Sequence, residues 1–218
     1  MAVAPKRSSM TYFSDVNDHY SHRVRIVLAE KGVTADIVNA DPANLPEEVQ
    51  ENSPYGYLPV LLDRELALYE TTVMMEYLDE RFPHPPLLPV YPVARAESRQ
   101  FIFRIEKDWC PLVATLAGGA SKDAAAQAAK ELKDSLVTIA PIFAEKPFFM
   151  SEEFSLVDCC LAPILWRLES FDITVPRTRQ TAALLEYMER LFERESFKES
   201  LSETELEMRP NYYTTRAQ

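Results

Sequence analysis

A chain of 218 residues, 47% hydrophobic and 26% charged, can bury a substantial core in one large domain or two small ones without covalent staples. Its formal charge of −11 argues against unaided binding to nucleic acid phosphates. Three cysteines, Cys110 and the adjacent Cys159 and Cys160, do not read as a secreted disulfide framework, no apolar run approaches the length of a membrane span, and the opening MAVAPKRSSM lacks the apolar core of a signal peptide, so the cytoplasm is the expected location.

Residues 10–13 (MTYF) predict a short strand. A helix follows over 21–32, with Val24, Val27 and Leu28 at helical spacing and Gly32 as its stop. Arg23 and Arg25 are expected to solvate a face of it. His19 and His22 straddle its start, lack further ligand partners and are expected at the surface rather than around a metal. ADIVNA (35–40) predicts a second strand, and 46–53 a short helix opening on a proline, a favoured first position. Strands are expected over 57–63 and 65–69. A helix over 71–82 places Val73, Met74, Tyr77 and Leu78 on one face. The order is βαβαββα.

RFPHPPLLP (81–89) then holds one histidine among four prolines. Proline fixes φ and restricts the residue before it to extended backbone, and Phe82, His84 and Pro85 each precede one. The segment is stiff and not helical. Stiffness alone reads as an inter-domain linker, with a preorganised contact surface around His84 as the alternative.

Beyond it only helices are predicted. Over 93–109, Phe101, Ile102, Ile105 and Trp109 form one stripe, which Pro111 should kink or end. Gly118 and Gly119 make a turn. Residues 121–143 carry Leu132, Leu136, Ile139 and Phe143 on one face, and helices over 155–168 and 178–194 complete the set. Ser155 caps the helix start while Asp158 returns the bond, a capping box with aspartate in the usual Glu/Gln place. Phe154 is positioned to pack on Cys159, and Cys159 and Cys160 are expected as small core residues rather than reactive thiols. The closing RPNYYTTRAQ reads as a loose tail.

βαβαββα followed by helices alone, with LP opening the third strand and ETT the third helix, resembles the glutathione transferase superfamily over nearly the whole chain. The resemblance implies a glutathione transferase-like fold: an α/β thioredoxin-like domain over 9–86, an all-α domain over 92–205, and a loose tail over 206–218. It also implies a cis Pro59 and a Leu58 backbone that pairs with the cysteinyl part of glutathione. Glu70 and Thr71 would hold the γ-glutamyl end at a helix N-terminus, where free amides favour a carboxylate. The Ser155–Asp158 box matches the superfamily's folding motif. The usual Ser/Cys position at the first helix falls on Asp18, whose carboxylate would repel a thiolate. Tyr12, Ser14, Tyr20 and Ser21 lie near, but none stands where the motif puts the nucleophile.

EYLDERFPHPPLLPVYPVAR (76–95), together with RIEKDW (104–109), FSLVDC (154–159) and RVRIVLAEKG (23–32), is similar to the stringent starvation protein A family, bacterial regulators associated with RNA polymerase that carry this fold without working as transferases. Pro111 departs from the uninterrupted helix expected there. This resemblance implies a regulator of transcription in starvation and stress, not an enzyme, with no cofactor and no metal. Its partners would be RNA polymerase holoenzyme and sigma factor, met through Pro83, His84 and Pro85. It would recognise no DNA sequence and no membrane itself. Leu58, Pro59, Glu70 and Thr71 would be a vestigial glutathione site. A homodimer is implied through the helices over 71–82 and 93–109, where Met75, Phe101 and Phe103 exceed one apolar face. The alternatives are a glutathione transferase or thiol reductase using Leu58, Glu70 and Thr71, or a small-molecule sensor that retains the cleft.

Overall fold

The computed structural model of the protein describes residues 10–214. Strand β1 (Met10–Ser14) pairs in parallel with β2 (Asp36–Asn39) and antiparallel with β3 (Val60–Asp63), and β4 (Leu66–Leu68) closes the order β2-β1-β3-β4. Thr11 stands opposite Asp36, and Tyr12 opposite Leu61. Helices α1 (His19–Glu30), α2 (Glu47–Asn52) and α3 (Thr71–Arg81) complete the expected βαβαββα order. Lys31 caps α1, and Gly32 turns the chain away at φ +58°, a conformation that costs glycine little.

Helices alone follow: α4 (Pro92–Asp108), α5 (Cys110–Ala117), α6 (Lys122–Ile139), α7 (Leu156–Arg167), α8 (Ala182–Phe192), α9 (Glu195–Ser200) and α10 (Glu203–Glu207). Pro111 ends α4 as expected and sits in the first turn of α5, where its missing N–H is no loss. Every residue of α7 is buried, and it packs against α1, α4 and α8. Its capping box is formed: the Val157 amide donates to Ser155 Oγ (3.2 Å) and the Ser155 amide to Asp158 Oδ2 (2.8 Å). Cys159 and Cys160 lie wholly inside, and burial pushes the Cys160 thiol up to about 12.

Several expectations fail in instructive ways. α1 begins two residues earlier than expected, because the Asp18 carboxylate accepts from the Ser21 amide (2.7 Å) and caps it. His19, His22, Arg23 and Arg25 are buried, not solvated. α1 lies between α3, α7 and α9, so polar positions around it meet protein instead of water. On α3, Val73 faces out while Met75 faces in, so the apolar face is turned from the one expected. Phe101 is half-buried, its ring 5.1 Å from that of Phe149, and of the three residues expected at a dimer surface only Phe103 is exposed. The helix expected from 178 begins at Ala182, because Thr178 and Thr181 close a turn through their side chains.

The segment expected to be loose from residue 206 is tied down at Arg209, Tyr212 and Tyr213, with exposed residues between them, while 215–218 lie outside the described residues. Arg209 donates to the carbonyls of Trp166 (2.8 Å) and Leu165 (3.0 Å) and lies 5.1 Å over the Trp166 ring. Tyr212 and Tyr213 also pack on that ring. Just before this segment, Glu205 is fully buried. It receives Arg25 Nη2 at 2.6 Å and pairs with Arg167, while its carbonyl accepts from Trp166 Nε1 at 2.8 Å. His22 fits the same cluster, with Nε2 2.9 Å from Ser200 Oγ and Nδ1 3.2 Å from Arg167 Nη1. A carboxylate between two guanidinium groups makes their burial tolerable. Its polar sequence hides this role.

Candidate functional site

Two features gather the residues that the sequence singles out. The first is a cleft of about 450 Å³ between the starts of α1 and α3, the turn before β3 and the last turn of α4, lined by Asp18, Tyr20, Tyr57, Leu58, Pro59, Glu70, Thr71 and Glu106. The Leu58–Pro59 peptide is cis. Glu70 precedes α3 at φ +70°, and its side chain accepts from Tyr57 Oη rather than capping the helix. That bond, more than burial, pushes the Tyr57 hydroxyl up to about 12. Thr71 opens α3 with the free amides that every helix start presents.

The charged groups lining this cleft are carboxylates: Asp18, Glu70 and Glu106. Burial pushes the Asp18 carboxyl up, against the pull of the Ser21 and Tyr20 amides. Glu106 Oε1 accepts from Arg23 Nη1 and from Thr72 Oγ1, both at 2.9 Å, so the buried guanidinium is already engaged. The same Arg23 lies 4.6 Å over the Tyr20 ring. Sequence reasoning missed Glu106 and Tyr57 as cleft residues. Glu106 lies within the RIEKDW stretch, and its pairing with Arg23 across 83 positions was the only available signal.

The nearby hydroxyls are accounted for. Tyr12 Oη is buried and donates to the Ser21 carbonyl (2.9 Å). Ser14 Oγ accepts from Arg25, and Ser21 Oγ accepts from the Asp15 amide (3.1 Å). Of the four, only Tyr20 lines the cleft.

The second feature is a ridge. Pro83, His84, Pro85 and Pro86 are exposed, while Leu87 and Leu88 beside them are buried. The His84–Pro85 peptide is cis. The ridge is fastened from below. Lys31 Nζ donates to the Pro85 carbonyl and to Asp79 Oδ1, the latter at 2.6 Å. The Leu87 amide donates to the same Asp79 oxygen at 2.8 Å, and the Leu87 carbonyl accepts from the Leu156 amide at 2.9 Å. His84 does not line the cleft, so the two features are separate.

Among the described residues no helix is long and apolar enough to cross a membrane, and no three His, Cys, Asp or Glu side chains gather to hold a metal ion.

Residues 15–86 match the family model of the glutathione S-transferase N-terminal domain, and 101–195 that of the C-terminal domain. A stringent starvation protein A homolog of Pasteurella multocida is 52% identical over 200 residues, 92% of this chain and 93% of its own. One of Coxiella burnetii is 50% identical over 94% of this chain and 97% of its own. Among solved structures, rice GST1 in complex with glutathione superposes with a TM-score of 0.81 at 21% identity, covering 98% of this chain and all of that one. Glutathione transferase Omega 3C of Trametes versicolor superposes with a TM-score of 0.77 at 24% identity, over 92% and 91% of the two chains.

Proposed function

The chain belongs to the stringent starvation protein A family, built on the glutathione S-transferase fold, and from that premise we propose that it is a transcriptional regulator of the starvation response that binds RNA polymerase holoenzyme and its sigma factor. It acts as a cytoplasmic homodimer, by protein contact, without glutathione transfer. The observation that carries this reading is the pairing of a carboxylate-lined cleft with a fastened, exposed ridge.

A transferase must stabilise a thiolate. Here the group at the start of α1 is Asp18, and Glu70 adds to the same field, while Glu106 is already paired with Arg23. Glutathione is itself an anion, and no Arg, Lys or His lines the cleft to receive its second carboxylate. Its fit is therefore poor. Thr71 and the amides at the start of α3 remain suited to the γ-glutamyl end, which supports weak binding at most. The ridge has the complementary property. It is ordered before any partner arrives, so docking on it costs little conformational entropy, and His84 offers a polar aromatic contact at its crest.

The test is the variant Pro83→Ala/His84→Ala/Pro85→Ala. All three side chains are exposed, and the bond from Lys31 goes to a backbone carbonyl that alanine keeps. Melting temperature and dimer mass should stay unchanged. Losing a central contact costs about 2 kcal/mol or more, roughly thirtyfold in Kd, so retention of purified polymerase on the immobilised variant should collapse. Full retention by a normally melting variant would end this reading of the ridge.

A further inference from the structure

The bonds beneath the ridge suggest a role for two residues buried under it. Lys31 lies at the end of α1 and Asp79 in the last turns of α3, and both side chains are almost wholly buried. They come together under the proline segment. One Asp79 oxygen takes both Lys31 Nζ and the Leu87 amide, and Lys31 reaches on to the Pro85 carbonyl. The chain from 82 to 86 lacks other described hydrogen bonds to the body of the protein, apart from the Phe82 amide that ends α3. Prolines stiffen this segment internally, but stiffness fixes a shape, not its angle to the protein. The angle must come from anchors, and the polar ones are these.

We propose that the Lys31–Asp79 ion pair is the positioning device of the ridge: it fixes the orientation in which Pro83, His84 and Pro85 are presented, and partner binding through that surface depends on it. This rests on the reading of the ridge as the contact surface. A buried ion pair is seldom the most stable way to fill such a space, since apolar side chains of similar volume often serve as well. Its distinctive contribution here is directional, two backbone groups of the strap held on one charged pair.

The pair can therefore be removed without leaving a lone buried charge. Lys31→Met/Asp79→Leu should still fold cooperatively, melting below wild type because the buried Leu87 amide loses its acceptor. Its Leu87 amide, deprived of the Asp79 acceptor, should exchange with solvent at least tenfold faster, and polymerase retention should fall at least tenfold although no ridge side chain is altered. Lys31→Arg, which keeps charge and donors, should return both readings to within about threefold of wild type, a rescue that a merely space-filling role would not give. If the double variant fails to fold, Lys31→Gln, an uncharged donor, should show the same changes to a smaller degree. Unchanged Leu87 exchange would overturn the anchoring, and faster exchange with undiminished retention would overturn the positioning role. The triple alanine variant separates the two ideas: if it retains polymerase in full, the ridge is not the contact surface, whereas Leu87 exchange still judges the anchor.

Discussion

Asp158 receives four bonds in the interior: from the Phe149 amide (2.9 Å), the Tyr187 hydroxyl (2.6 Å), and the amide (2.8 Å) and hydroxyl (3.0 Å) of Ser155. Ser155 gives α7 its cap, a role whose loss costs about 1 kcal/mol. Removing the carboxylate instead strands buried donors at roughly 1–3 kcal/mol each. Asp158→Ala should therefore destabilise by at least about 3 kcal/mol and Ser155→Ala by about 1, as read by urea unfolding; equal losses would contradict this account. Asp18 invites a different substitution. Asp18→Ser keeps a side-chain oxygen to cap α1, so stability should move by under about 0.5 kcal/mol. It removes one carboxylate from the cleft. The wild-type protein should turn over a standard electrophile with glutathione at well below about 1 per second, the lower end of working enzymes, and Asp18→Ser should raise that rate. Wild-type turnover at or above it would show that the carboxylates do not prevent catalysis.

α1 shows which parts of the fold were legible and which were not. Val24, Val27 and Leu28 announce a buried face by spacing alone, and all three are buried. Arg23, Arg25, His22 and Lys31 give no such notice. Their partners are Glu106, Glu205 and Asp79, between 48 and 183 positions away, and spacing cannot tell a paired buried charge from a solvated one. The cleft was half legible for the same reason: Leu58, Pro59, Glu70 and Thr71 sit in local motifs, whereas Glu106 arrives from another helix. The buried histidines have a measurable consequence. Desolvation first, then the Arg25 and Arg167 charges, holds His22 neutral far below its usual range, and burial with Arg23 and Arg167 lowers His19 to about 2. Below about pH 6.5 the unfolded chain takes up protons that the folded chain refuses, so stability is lost as pH falls, by about 1.4 kcal/mol per unit for each histidine. His22→Gln should remove one such contribution. Urea unfolding of both proteins at pH 5.0 and 6.5 checks the difference in slope; parallel profiles would mean that His22 is protonated in the fold.

At the scale of the whole molecule, Val73 on α3 and Phe103 on α4 are exposed to 51% and 60%, large apolar side chains without a described partner on the two helices expected to meet a second copy. Paired charges there should be intolerable at an apolar interface. The wild type should sediment at micromolar concentration as about twice the 24.9 kDa chain, and Val73→Glu/Phe103→Glu as a monomer with an intact core; a wild-type monomer would refute the homodimer. The closing segment matters at this scale too, because Glu205, Arg209, Tyr212 and Tyr213 form much of the enclosure of Trp166. That indole is fully shielded, and only one other tryptophan, Trp109, shares the chain. The protein thus carries its own optical gauge: in a Trp109→Phe background, detachment of the C-terminal segment would shift the emission of Trp166 to the red while the helices stayed formed, so the release of one short stretch of chain can be watched in light apart from the melting of the whole.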